Sequence, residues 1–276
     1  MFTFGKRLLL LVFLLIAGMA LTGLFSSLIS ALVSDATKAL RVTAIVQDLF
    51  CFILPAVVLA VMVTRLPADF LKIRGGGRRQ WACAALTALA VVAAVPLINT
   101  LVEWNSSISL GPLHEPMARA EAAAEAASEL MLGGGSVADL LLGLLIVGVF
   151  AGFSEEIFFR GALQRLLITR PMNPHLAIWT VAFIFSAFHV QFFGFVPRLL
   201  LGALFGYAAW WSASLWPAVI GHVFNNSLTV IVMWLVRRGD IAADAGSFGA
   251  FSPLWLPASL ILTAAVLWSV RRLCRR

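Results

Sequence analysis

Residues 8–33 read LLLLVFLLIAGMALTGLFSSLISALV, twenty-six positions without one charged side chain. A helix rises about 1.5 Å per residue, so such a run is long enough to cross the roughly 30 Å hydrocarbon core of a bilayer with some tilt. Lys6 and Arg7 stand just before it, as charges stand before the apolar part of a secretory signal. That part has only about 7–15 residues, so the reading here is a retained first span. Comparable apolar runs follow at 43–64, 81–102, 137–168, 175–193, 197–212, 215–236 and 252–270, which makes eight. The expected fold class is all-α, a polytopic transmembrane helical bundle of about eight spans.

Composition agrees. Of 276 residues, 61% are hydrophobic and 12% charged, where soluble domains carry about 45–50% and 25%. Twenty Lys and Arg against thirteen Asp and Glu give +7. These cations sit between apolar runs, so the excess reads as membrane topology, and nucleic-acid binding is set aside. With the N-terminus inside, fourteen of the twenty fall in inside segments, Arg170, Arg275 and Arg276 among them, and six fall outside. This bias predicts a multi-pass protein of a bacterial cytoplasmic membrane, in contact with lipid, with both termini cytoplasmic.

The longest polar interruption, 103–136, is placed outside. Within it, 117–131 repeats Glu121, Glu125 and Glu129 every four residues, which makes one acidic helical stripe. The run Gly133, Gly134 and Gly135 then frees the chain, so a mobile amphipathic lid is conceivable, but a plain solvated connector is the expectation. Cys51, Cys83 and Cys274 are far apart and lack Cys-x-x-Cys spacing, so they read as small apolar fillers, with neither a disulfide nor a thiolate metal site.

Ionisable residues inside a membrane mark function by default, so the polar groups of the second half carry most information. The fourth span holds Ser154-Glu155-Glu156-Ile157-Phe158-Phe159-Arg160, the fifth Phe185-Ser186-Ala187-Phe188-His189, and the seventh His222-Val223-Phe224-Asn225-Asn226. Residues four apart share a helix face, so Glu156 pairs with Arg160 and Glu155 turns away toward neighbouring helices, free to act as a base. His222 and Asn226 are likewise four apart, and an imidazole and a carboxamide presented together suit a developing oxyanion. At the helical rise, Glu155, His189 and His222 lie roughly 22, 21 and 12 Å from the cytoplasmic ends of their spans, so they can meet in a cavity biased to that half. Asp48 reads as a solvated or snorkelling group near the outer end of the second span, and His114 and His175 as loop residues. Ser154 and Ser186 have no evident partner base, which argues against covalent catalysis.

In order and spacing, these residues resemble the CPBP family, the membrane-embedded CAAX proteases and bacteriocin-processing enzymes also called Abi. Its motifs EExxxR, FxxxH and HxxxN stand here at Glu155 to Arg160, Phe185 to His189 and His222 to Asn226. The resemblance divides the chain into 1–136, spans with the external acidic loop; 137–236, the CPBP-like core; and 237–276, a loop and the last span. It implies an intramembrane endopeptidase acting on a peptide or membrane-protein substrate. In that family's manner Glu155 and His189 activate a water, His222 and Asn226 form the oxyanion hole, and Glu156, Arg160 and Phe185 support the site. Family precedent leans to a mechanism without a cofactor. A zinc ion on Glu155, His189 and His222 stays open, as a carboxylate with two imidazoles is also a zinc set. From another class come a noncatalytic immunity or scaffold protein of the same fold and an ion-coupled transporter, although no internal repeat supports the latter.

Overall fold

The computed structural model describes residues 3–169 and 173–274, all helix and connecting turns with no strand. Arg170, Arg275 and Arg276 of the positive-inside set lie outside the described residues. The helices are α1 Phe4–Leu32, α2 Ala36–Val63, α3 Arg78–Ser106, α4 His114–Leu132, α5 Val137–Ile168, α6 Pro174–Phe188, α7 Phe195–Ser212, α8 Trp216–Arg238 and α9 Trp255–Cys274. Six of them, α1, α2, α3, α5, α8 and α9, are long and apolar enough to cross a membrane, while α6 is apolar but shorter. Together with α7 they stand where the eight apolar runs predict.

Local chemistry sets the boundaries. Thr3 and Asp35 accept from the backbone N–H of Lys6 and Lys38 at the starts of α1 and α2, and the Lys38 N–H holds the Asp35 carboxyl below its usual pKa. Ser136 and Asp139 cap each other at the start of α5, and Asn173 caps α6. Gly239, with φ at 75°, ends α8 in the left-handed conformation.

The start of α3 and the end of α9 meet at one end of the bundle. Helices α3 and α9 run antiparallel, with the Arg79 guanidinium donating to the Leu273 carbonyl and a disulfide joining Cys83 to Cys274. This corrects the expectation of three separate fillers; only Cys51 remains a free buried thiol. Further along the pair, Pro96 interrupts the ladder of α3, and the Ser259 hydroxyl of α9 repairs it by donating to Ala93 O at 2.6 Å and accepting from Leu97 N at 3.3 Å.

The packing of α5 against α8 positions the site. A Cβ on Gly148 would lie 2.6 Å from Ser227 Oγ, and one on Gly152 would lie 3.0–3.2 Å from Val223, so only glycine lets these backbones approach so closely. Helix α5 also widens into π-helical turns at Leu144–Ala151 and Ile157–Gln164, on either side of Glu155 and Glu156, and α2 does so at Asp48–Ile53. The buried aromatic core, with Phe52, Phe158, Phe159 and Phe185, packs directly under these turns.

The connector between α2 and α3 folds back against the start of α8. Leu215 N–H donates to the Lys72 carbonyl at 3.0 Å and the Trp216 indole N–H to the Ile73 carbonyl at 3.1 Å. Helix α8 consequently begins on this infolded connector, and that explains how His222, so close to the start of its helix, lies level with Glu156. Burial, and next the nearby charge of Arg165, pushes the Lys72 ammonium of this connector below its ordinary pKa.

Candidate active site

Glu156 is fully buried, and a single oxygen of its carboxylate, Oε1, serves two partners: it accepts from Arg160 Nη1 at 2.7 Å and from His222 Nδ1 at 2.8 Å. The first bond is the one that four-residue spacing predicts. Arg160 also donates through Nη2 to the Gly202 carbonyl at 2.8 Å and lies over the Phe185 ring, 4.6 Å from its centroid. The guanidinium is thus held on three sides, as a charge in an apolar setting must be.

His222 is clamped as firmly. Phe205 stacks on its ring with centroids 5.1 Å apart, and Phe185 meets it edge-on at 5.7 Å. With Nδ1 turned to Glu156, Nε2 points toward Glu155, whose Oε2 is 3.9 Å away. That oxygen is buried and accepts no hydrogen bond. Glu155 therefore faces away from Arg160 into open space, as the helix-face argument requires. His189 follows the last residue of α6, and its Nδ1 lies 2.8 Å from the Phe185 carbonyl. A carbonyl only accepts, so Nδ1 carries the proton and a neutral ring keeps Nε2 as an acceptor. Phe185 is the common wall, its ring touching His189, His222 and Arg160.

Asn226 lies one turn beyond His222. Its Nδ2 donates to the Val147 carbonyl at 3.1 Å and its Oδ1 accepts from Asn225 at 3.3 Å, so one amide hydrogen is engaged within the chain. Ser154 donates to the Ala151 carbonyl and Ser186 to the Phe195 carbonyl, and neither faces a base. Among the described residues no three His, Cys, Asp or Glu side chains converge as metal ligands, and that includes Glu155, His189 and His222.

Beside Glu155 opens a cavity of about 330 Å³ with walls from α2, α4, α5 and α8. Its lining uses Leu40 to Asp48 of α2, Ser128 to Leu132 of α4 and Thr229 to Met233 of α8, so it extends toward the end of the bundle that carries α4. The chain termini are at the other end, which corrects the expectation of a cavity on their side. Asp48 is the second correction: instead of reaching solvent, it is 6% exposed and shares this cavity with Glu155. The rule that singles out Glu155, an acid inside a span, applied equally to Asp48. No sequence signal marks Phe205 or the Gly202 carbonyl, whose roles come from packing alone.

Helix α4 keeps the solvated outer face expected of a connector, with only Leu132 buried, but it is pinned to the bundle and is not a loosely held lid. Arg41 donates to the Met131 carbonyl at 2.8 Å and to Asp139 at 2.9 Å, and the Trp234 indole donates to the Gly135 carbonyl at 2.9 Å, so the glycine run is pinned. Farther up, Glu121 accepts from Gln191 at 3.2 Å, Gln191 accepts in turn from Arg198 at 2.9 Å, and His114 packs on Phe193. Only Glu121 of the acidic stripe faces inward; Glu125 and Glu129 are exposed. His114 and His175 sit in the first turns of α4 and α6 and not in loops, His175 within 2.7 Å of the Tyr207 hydroxyl.

Comparison with known proteins converges on the same segment. Residues 137–228, from the start of α5 to beyond Asn226, match the family model described as type II CAAX prenyl endopeptidase, Rce1-like. The matched stretch contains all three motifs, and over it the chain matches the CPBP, or CAAX-protease, family. No curated protein and no solved structure gives a significant match to the chain.

Proposed function

We propose that this multi-pass membrane protein is an intramembrane endopeptidase in which Glu155 and His189 activate a water without a metal. The observation that carries the reading is the division of labour between two adjacent carboxylates. Glu156 gives one oxygen to both Arg160 and His222 and does not line the cavity, while Glu155 makes no hydrogen bond through its buried Oε2 and lines it. A carboxylate that borders a cavity and makes no hydrogen bond through one buried oxygen is placed to take a proton from a water there.

Glu155 takes a proton from the water as the water oxygen attacks the peptide carbonyl carbon, and His189, through its free Nε2, orients that water. Charge then develops on the carbonyl oxygen. His222 and Asn226 are the donors assigned to it, the first through Nε2–H of a doubly protonated ring whose Nδ1–H stays on Glu156, the second through the amide hydrogen that Val147 does not hold. Collapse of the tetrahedral intermediate breaks the carbon–nitrogen bond, and Glu155 returns its proton to the leaving amine. Glu156 and Arg160 take no part in proton transfer; they hold the His222 ring.

The test is cleavage of a membrane-peptide substrate by the purified protein in lipid nanodiscs. Glu155→Gln keeps volume and polarity but removes the base, so the rate should fall about 10²–10⁴-fold with folding intact. Chelators should leave the parent unaffected, and elemental analysis should find no stoichiometric zinc. A Glu155→Gln protein that cleaves at the parent rate overturns the reading. So does zinc near one equivalent per chain that is lost together with activity in both His189→Ala and His222→Ala.

A further inference from the structure

The cavity beside Glu155 contains acids and no base. Asp48 and Glu155 are its only charged lining residues, and the rest of the wall is aliphatic apart from Thr43, Gln47, Ser128 and Thr229. The cations nearby are engaged elsewhere: Arg41 with Asp139 and the Met131 carbonyl, Arg160 with Glu156 and the Gly202 carbonyl, Arg198 with Gln191. Two carboxylates facing one cavity inside a membrane segment are costly unless a positive partner or a bound proton neutralises them. Among the described residues no Lys or Arg pairs with either acid; His222 Nε2 comes within 3.9 Å of Glu155, and no ion pair reaches Asp48.

We propose that Asp48 is a specificity-determining residue, the anionic wall of a subsite that receives a Lys or Arg side chain of the substrate next to the bond cut at Glu155. The shape suits such a guest. Its methylene stem lies along Ala44, Met131, Val230 and Met233, and its charged head reaches the acids at the inner end. The subsite rests on the reading of Glu155 as the proteolytic base, but its test is a binding measurement that does not need catalysis.

The full chain in nanodiscs is titrated with two fluorescein-labelled apolar peptides that differ only in one central residue, Lys in one and Gln in the other, and anisotropy is recorded. The parent should bind the Lys peptide about tenfold more tightly, as expected of a charge-assisted hydrogen bond out of water. Asp48→Asn should abolish the preference while still binding the Gln peptide, which shows the cavity intact, and Asp48→Glu should retain it. Equal affinities in the parent, or a preference that survives Asp48→Asn, overturn the proposal. If the parent prefers the Lys peptide but releases no fragment from either, the proteolytic reading falls and the subsite stands.

Discussion

Glu156 occupies a position where a lone charge is least tolerated, and its two partners account for its presence. Removal of the charge by Glu156→Gln leaves Arg160 buried against a neutral neighbour, and a broken buried pair of this kind destabilises by about 3–5 kcal/mol. Unfolding followed in detergent should register that loss, whereas Glu155→Gln should unfold at the parent midpoint; equal stability of both variants would refute the assignment. Asn226→Ala should lower the chemical rate about 10²–10³-fold with little change in substrate affinity, as expected for one lost oxyanion donor. At this scale the sequence is most readable where spacing within one helix decides the contact, as between Glu156 and Arg160. It is silent where the partner is a carbonyl or ring from elsewhere, such as Gly202 or Phe205. Asp48 was misread because depth along a span does not say which way a side chain points.

Among the elements, α5 and α8 form the joint on which the site depends. Gly152→Val would place a branched side chain against the backbone of Val223, where a single Cβ is already at 3.1 Å from its nitrogen. The helices must then part, and overpacking of this kind typically costs about 1–3 kcal/mol. The larger effect should fall on catalysis, because His222 is carried away from Glu156: the variant should insert and fold but cleave at well under a tenth of the parent rate. Unchanged activity would show that the close approach is incidental. The extent of these helices could be read from hydrophobic runs, since each run is set by the bilayer. The docking of α4 could not, because its anchors, Arg41, Asp139, Gln191 and Trp234, lie on four other parts of the chain.

For the whole molecule, the helix order places the termini and the 65–77 connector at one end and α4 at the other. A Cys introduced near Glu121 should react with an impermeant thiol reagent on one side of the membrane, and a Cys near Gly76 only on the other. On the charge bias, Glu121 is the residue labelled in intact cells. Labelling of both from the same side would contradict the fold, and labelling of Gly76 alone would invert its orientation. Span number and relative topology were legible because charge and hydropathy are local properties. The disulfide between Cys83 and Cys274 was not, as 191 residues separate its halves and only the antiparallel packing of α3 on α9 brings them together.

The sharing of Glu156 between a residue of its own helix and one from a distant helix has a consequence for synthesis. Arg160 is made four positions after Glu156, so the two can enter the bilayer together as an internally neutralised pair. His222 follows 66 residues after Glu156, which at about 5–20 residues per second takes the ribosome roughly 3–13 s. Until α8 emerges and docks on the two glycines of α5, the nascent chain holds Glu155 and His189 but neither of the oxyanion donors assigned above, His222 and Asn226. On the proposed mechanism the newborn protein therefore lacks its charge-stabilising donors while its own unpacked helices, the nearest peptide bonds in the membrane, pass beside it.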